Sequence, residues 1–190
     1  MRQHIIISIR ITIALLVMTC GVYPLAVWAI GQTFFRHQAN GSLIVRDGKV
    51  IGSEIIGQDF TGERFFHARP TGSTNWGPTS KKLLDAIRDR TTKYADTKPA
   101  GGIPADAVTQ SCSGVDPHIS PENAASQAAR VARANRLPIE RVRQMIAVRT
   151  EGRFLGIYGE PRVNVLLLNL DLVKENQSHA EAEQRHPSRA

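Results

Sequence analysis

The distribution of apolar residues changes character along the chain. Residues 11–30, ITIALLVMTCGVYPLAVWAI, carry no charge over 20 consecutive positions. Twenty helical residues span about 30 Å, the thickness of a bilayer's hydrocarbon core. A soluble core helix keeps a polar face, and this run has none, so the pattern predicts a membrane helix. Phe34 and Phe35 extend it, giving a span of 11–35, and Trp28 suits an interfacial anchor. Pro24 has no N–H to offer the Cys20 carbonyl, and Gly21 lies beside it, so a kink is expected there. The competing reading is a cleaved signal peptide ending at Val27-Trp28-Ala29. The run is longer than the roughly 7–15 residues of a signal h-region, which favours an uncleaved span.

Beyond the helix the period shortens. SLIV (42–45), Arg46-Asp47-Gly48-Lys49 and VIGSEIIG (50–57) predict a β-hairpin, with Asp-Gly supplying the positive φ of a tight turn. A polar loop, RPTGSTNWGPTS (69–80), hands over to a helix over 80–94, capped by Thr79 or Ser80, with Leu83, Leu84, Ile87 and Tyr94 near one face. TKPAGGIP (97–104) reads as a linker, and VTQSCSGVDPHISP (108–121) as a second loop. Ser120-Pro121-Glu122 starts a helix to about Asn135, with Ala124, Ala128, Val131 and Ala132 inward. Pro138 opens another, with Ile139, Val142, Met145 and Ile146 on its apolar face and Gly152 as its stop. Residues 162–173, RVNVLLLNLDLV, read as a strand covered on both faces, and the polar stretch 174–190 as a disordered tail. The expected fold class is α+β: a short N-terminal segment (1–10), one transmembrane helix (11–35), and a single mixed domain (36–173) large enough for one core.

Charge adds orientation. The 190-residue chain has 24 Lys and Arg against 17 Asp and Glu, a net +7. Arg2 and Arg10 precede the apolar run with no acid among them. The positive-inside rule therefore favours a cytoplasmic N-terminus and an extracytoplasmic domain. The densest basic stretch, 130–149, lacks interleaved aromatics and suits helix surface, so nucleic acid is not an expected partner. Cys20 lies in the apolar run and Cys112 far from it, which excludes a disulfide framework and a four-thiolate zinc site.

Candidate chemistry is sparse. Asp116 and His118 could share a metal or relay a proton, but Pro117 between them suits a turn in which Asp binds its own backbone. Ser111-Cys112-Ser113-Gly114 is not a nucleophile elbow, and no phosphate loop, GxGxxG, HExxH or phosphorylatable D-K-T-G-T is present. Glu151 beside Gly152, and Glu160 near Arg162, suit surface ion pairs rather than a catalytic dyad. From these residues alone, a membrane-anchored extracytoplasmic binding protein or hydrolase is one reading.

A longer set of blocks points elsewhere. NGSLI (40–44), IGSEIIGQDF (51–60), RP (69–70), STNWGPTS (73–80), SGVDPHISP (113–121), RVARAN (130–135) and GEPRVNVLLLNLDL (159–172) resemble the C subunit of the Kdp potassium-transporting P-type ATPase, in the family's order over about residues 5–173. Trp76, Cys112 and the polar tail after Lys174 depart from the family's pattern. The resemblance implies a noncatalytic subunit of a high-affinity potassium uptake complex in the plasma (inner) membrane. Its implied partners are a channel-like potassium-translocating subunit, a P-type ATPase subunit, a further small membrane subunit, and the lipid bilayer. It implies no cofactor of its own: ATP and magnesium are held mainly by the ATPase subunit, whose ATP affinity this chain raises as a catalytic chaperone while stabilising the complex. The blocks are densest at loops 73–80 and 111–121. Asn75, Gly77, Ser111, Ser113, Gly114, Asp116, His118, Ser120 and Glu160 are accordingly expected to contact a partner or shape the loops.

Overall fold

A computed structural model describes residues 1–72, 76–96 and 102–185, leaving aside the side chains of 96 and 179–185. Its contacts divide the chain into two units, Met1–Ser53 and Glu54–Ala190.

In the first unit α1 (Arg2–Val17), a π-helical turn (Met18–Val22) and α2 (Tyr23–Phe34) form one apolar helix. Its most apolar 18-residue window has a mean hydropathy of 2.3 and is 0 % buried. The irregularity expected at Pro24 takes a defined form: the Tyr23 amide donates to the Met18 carbonyl, five residues back. One extra residue is thus accommodated immediately before the proline, a π-bulge that absorbs the missing donor. Thr19 and Thr33 turn their hydroxyls inward, donating to the Leu15 and Ala29 carbonyls at 2.7 Å each, so neither presents an unpaired O–H to an apolar surround. After the short α3 (Arg36–Ala39), β1 (Leu43–Arg46) and β2 (Lys49–Ser53) form the expected antiparallel hairpin, with Arg46 opposite Lys49. Asp47 (φ 52°) and Gly48 (φ 73°) supply the left-handed pair of a type I′ turn. The hairpin belongs to the same unit as the apolar helix, and the second unit begins at Glu54.

The second unit contains α4 (Lys81–Asp96), α5 (Ala105–Val108), β3 (His118–Ile119), α6 (Pro121–Asn135), α7 (Ile139–Arg149), β4 (Thr150–Glu151), β5 (Arg162–Asn164) and α8 (Val165–Arg185). The three strands form an antiparallel sheet in the order β3-β5-β4. Its core joins Phe66, Ile119, Ala124, Ala128, Val131, Val142, Val163, Leu168 and Leu172, among others. The inward faces expected for α6 and α7 are the buried ones, except that Ile139 is only half-buried. On α4, Leu83, Ile87 and Tyr94 are half-buried, but Leu84 faces solvent.

Three expectations are corrected. The run 162–173 is a strand only at Arg162–Asn164; from Val165 it is helix. Asn164 ends the strand and caps the helix, its Oδ1 accepting the Leu167 amide at 3.1 Å. Val165, Leu168, Asn169 and Leu172 are buried at helical spacing. The leucines after Val165 are better helix formers than strand formers, and the Asn cap tips the balance. Helix α8 then runs through Arg185, so most of the expected tail is helical; residues 186–190 lie outside the described residues. Helix α7 ends at Arg149, before Gly152, because Thr150 and Glu151 pair with β5. Of the expected linker, residues 97–101 lie outside the described residues.

Buried polar side chains replace sheet hydrogen bonds where the loop before α4 crosses the helices. Asn169 accepts the Phe66 amide at 2.8 Å and donates to its carbonyl at 2.9 Å. Gln127 accepts the His67 amide at 2.8 Å and donates to the His67 carbonyl at 3.1 Å. Arg130 donates to the Glu63 and Phe65 carbonyls at 2.7 and 3.0 Å. Among the described residues no buried side-chain N or O lacks a partner.

Candidate functional site: two clefts around the 109–120 loop

Five of the residues singled out from the sequence stabilise this loop locally. The Ser111 hydroxyl accepts the Gly114 amide at 2.9 Å, where Gly114 sits at φ 73°. The Ser113 hydroxyl accepts the Val115 amide at 3.3 Å. Asp116 Oδ1 accepts the His118 amide at 3.0 Å, the Asx-turn that Pro117 suggested. Ser120 caps α6, accepting the Asn123 amide at 3.0 Å. The Pro117 carbonyl accepts the Val165 amide at 2.9 Å, joining the loop to the start of α8. On the other side the Gly57 amide donates to the Val115 carbonyl at 2.7 Å, and a Cβ at Gly57 would sit 2.6 Å from the Asp116 carbonyl oxygen. Only glycine permits that approach.

The loop separates two clefts. One, of about 660 Å³, is lined by Asp106, Asp116, His118, Ser120, Glu160 and Arg162, among others. The other, of about 380 Å³, lies beside Gly57, Thr71, Ser111, Ser113 and Gly114. Arg69 and Asp116 border both. Their side chains meet at 3.3 Å, and Arg69 also donates to the Gln110 carbonyl at 2.9 Å. Burial lowers the His118 pKa, assisted by the Arg162 charge and opposed by Asp116 and Glu151. The His118 Nδ1 lies 3.4 Å from Asp116 Oδ1.

Glu160 lines the larger cleft but pairs with Arg153 at 2.7 Å; Arg162 pairs instead with Glu151 at 2.9 Å. In this antiparallel arrangement Glu151 lies directly opposite Arg162, which puts that pair together. Gly77 borders neither cleft: it is exposed, and its carbonyl accepts the Ser80 amide at the start of α4. Asn75 lies outside the described residues.

Two residues of this site were not singled out as chemistry. Arg69 was visible only within the RP block, because its partners lie about 40 positions away. Asp106 accepts the Ser120 amide and hydroxyl at 2.7 and 3.0 Å and the Asn123 side chain at 3.1 Å, thereby holding the cap itself. Its only local signal was an acid in a four-residue helix.

The side chains described at the clefts are thus engaged in turns, caps and ion pairs. Among the described residues no three His, Cys, Asp or Glu are grouped to hold a metal. The larger cleft carries four carboxylates (Asp106, Asp116, Glu122, Glu160) against two guanidiniums (Arg69, Arg162).

Comparison with known proteins covers most of this chain. The chain is 44 % identical over 183 residues to the potassium-transporting ATPase KdpC subunit of Koribacter versatilis, covering 90 % of this chain and 95 % of that protein. The proteins of that name from Rhodospirillum rubrum and Polaromonas naphthalenivorans are 49 % and 48 % identical, covering 84 % and 83 % of this chain and 89 % and 88 % of theirs. The family model described as KdpC, the c chain of the K+-transporting ATPase, matches residues 5–174, which take in the apolar helix, the hairpin and both clefts, and the chain belongs to that family.

Proposed function

We propose that this chain is the noncatalytic, membrane-anchored accessory subunit of an ATP-driven potassium transporter. The observation that carries the reading is the reach of the family match: it spans residues 5–174, taking in the apolar helix, the hairpin and both clefts. The partners are a channel-like potassium-translocating subunit, a P-type ATPase subunit and a small membrane subunit. Arg2 and Arg10 before the helix favour a cytoplasmic N-terminus in the plasma (inner) membrane, with the second unit outside.

ATP and magnesium belong on the partner ATPase subunit. A cleft with twice as many carboxylates as guanidiniums repels a triphosphate, and Arg69 is already engaged by Asp116 and the Gln110 carbonyl. A domain outside the membrane cannot reach a cytoplasmic nucleotide. The chaperone effect on ATP affinity is therefore allosteric, a coupling through the membrane subunits. The same commitments of Ser111, Ser113, Asp116 and Ser120 to local turns leave a hydrolase reading without a nucleophile and base in place.

Purification in mild detergent tests the reading, together with a topology reporter fused after Lys174. Co-purifying pump subunits and an extracytoplasmic reporter are expected. A lone monomer, or ATP turnover by the isolated chain above contaminant level, overturns it.

A further inference from the structure

Between β4 and β5 the chain leaves the core altogether. Every residue from 151 to 162 is exposed, although this stretch holds four large apolar side chains. Phe154, Leu155, Ile157 and Tyr158 are 71, 75, 72 and 66 % exposed. Their position is built rather than loose. The Phe154 amide donates to the Tyr158 carbonyl at 2.8 Å, and the Tyr158 amide donates back to the Phe154 carbonyl at 3.0 Å. Leu155 (φ 51°) and Gly156 (φ 74°) turn the tip through the left-handed region, which for a leucine costs energy. Below the tip, the pairs Arg153–Glu160 and Arg162–Glu151 make a polar stem that carries no net charge.

We propose that the 154–158 tip is a docking knob that enters an uncharged apolar cleft on another subunit of the same membrane complex. The inference rests on the subunit reading above. An apolar centre of aromatic and aliphatic side chains ringed by internally neutralised charges has the anatomy of an interface anchor and its rim. The neutral stem offers nothing to anionic lipid headgroups, which distinguishes the tip from a membrane-surface loop. A knob of four side chains is too small for a free-standing dimer of two copies, which needs more than about 1,000 Å². It suffices for a partner held in the same bilayer, because the tether supplies a high effective concentration.

The test uses the full chain co-expressed with the pump subunits. A photo-crosslinking p-benzoylphenylalanine placed at Phe154 is expected to give an adduct with a co-purified pump subunit, identified by mass. The same probe at Arg88, on the exposed face of α4, is expected to give none. Phe154→Ser combined with Ile157→Ser should lower co-purified subunit about tenfold or more on washing while leaving the chain's melting unchanged. Adducts only with lipid or with a second copy overturn the proposal. So does an intact complex without any adduct, a double variant that assembles like wild type, or one whose assembly fails only because its melting falls. If the wild-type chain brings down no pump subunit, the subunit reading falls and the knob with it.

Discussion

Between Arg2 and Phe34 no residue is buried, and Ile13, Leu16, Leu25 and Trp28 are each more than half exposed. In the unit from Glu54 onward, Phe66, Val131, Val142, Val163, Leu168 and Leu172 are sealed completely, and Asn123 and Asn169 nearly so. The difference lies in what does the burying. The apolar helix of the first unit closes its backbone hydrogen bonds within itself and leaves its side chains to be covered from outside the chain. The second makes its own apolar phase and must then satisfy each polar group it encloses. Damage to the first should show as failed membrane association, and damage to the second as lost stability.

The largest effect expected from breaking this contrast is at the helix centre. Leu15→Arg puts a charge where insertion costs about 2.5–3.5 kcal/mol more. It should shift the chain out of the membrane fraction and abolish complex yield, as read by carbonate-washed membranes. Wild-type fractionation would remove the basis for a spanning helix. Pro24→Ala should be far milder, because the π-bulge at Met18–Val22 already accommodates the proline.

The same contrast explains what the sequence made legible. The apolar helix could be read from composition because its environment is uniform. Helix α6 could be read because Ser120, Pro121 and Glu122 act within one turn. The Asp47-Gly48 hairpin is likewise local. Where partners are distant, the reading stopped. Arg69 and Asp116 are 47 positions apart, and Phe66 and Asn169 are 103. The 162–173 run failed for a different reason: a doubly covered strand and the buried face of a helix both appear as continuous apolar residues, and only the cap geometry at Asn164 separates them. Of the candidate site, the turn chemistry of Ser111, Ser113 and Asp116 was readable, but the two clefts they divide were not.

A second prediction sharpens the contrast from the other side. Asn169→Ala leaves both the amide and the carbonyl of Phe66 unpaired in the core. The expected cost is about 1–3 kcal/mol in urea unfolding of the full chain in detergent, with membrane fractionation unchanged. An equal loss of membrane association would mean the two units do not fail separately.

Asp116→Ala should have a smaller effect. It removes one Asx-turn acceptor and the Arg69 partner, both partly exposed. If the loop's role is internal, about 1 kcal/mol is lost and melting falls by a few degrees. If the loop docks on a partner, melting holds while co-purification and potassium-stimulated ATPase activity of the complex weaken. The turn hydrogen bonds accepted by Ser111 and Asp116 favour the internal role.

The smallest expected effect is a pH dependence confined to the second unit. His118 and His67 both have lowered pKa values, in each case chiefly because burial penalises the charged ring. For His118 the Arg162 charge adds to the lowering while Asp116 and Glu151 oppose it. For His67 the Arg130 charge adds to it and the Gly62 carbonyl opposes it. In the unfolded chain both rings titrate near the ordinary imidazole pKa of about 6.5. Below that pH the unfolded state binds protons that the folded state declines, so stability falls with acid. The contribution is complete above the unfolded pKa, is lost as pH drops toward the lowered folded values, and is constant beneath them. Because neither ring is fully buried, the slope should be shallow. Urea midpoints measured between pH 7.5 and 5 should decline, and His118→Asn with His67→Asn should flatten that decline. A rising midpoint on acidification would mean that Asp116 and Glu151, not burial, govern His118. Membrane fractionation over the same range should not change, since the apolar helix from residue 11 to residue 34 contains no Asp, Glu, His, Lys or Arg.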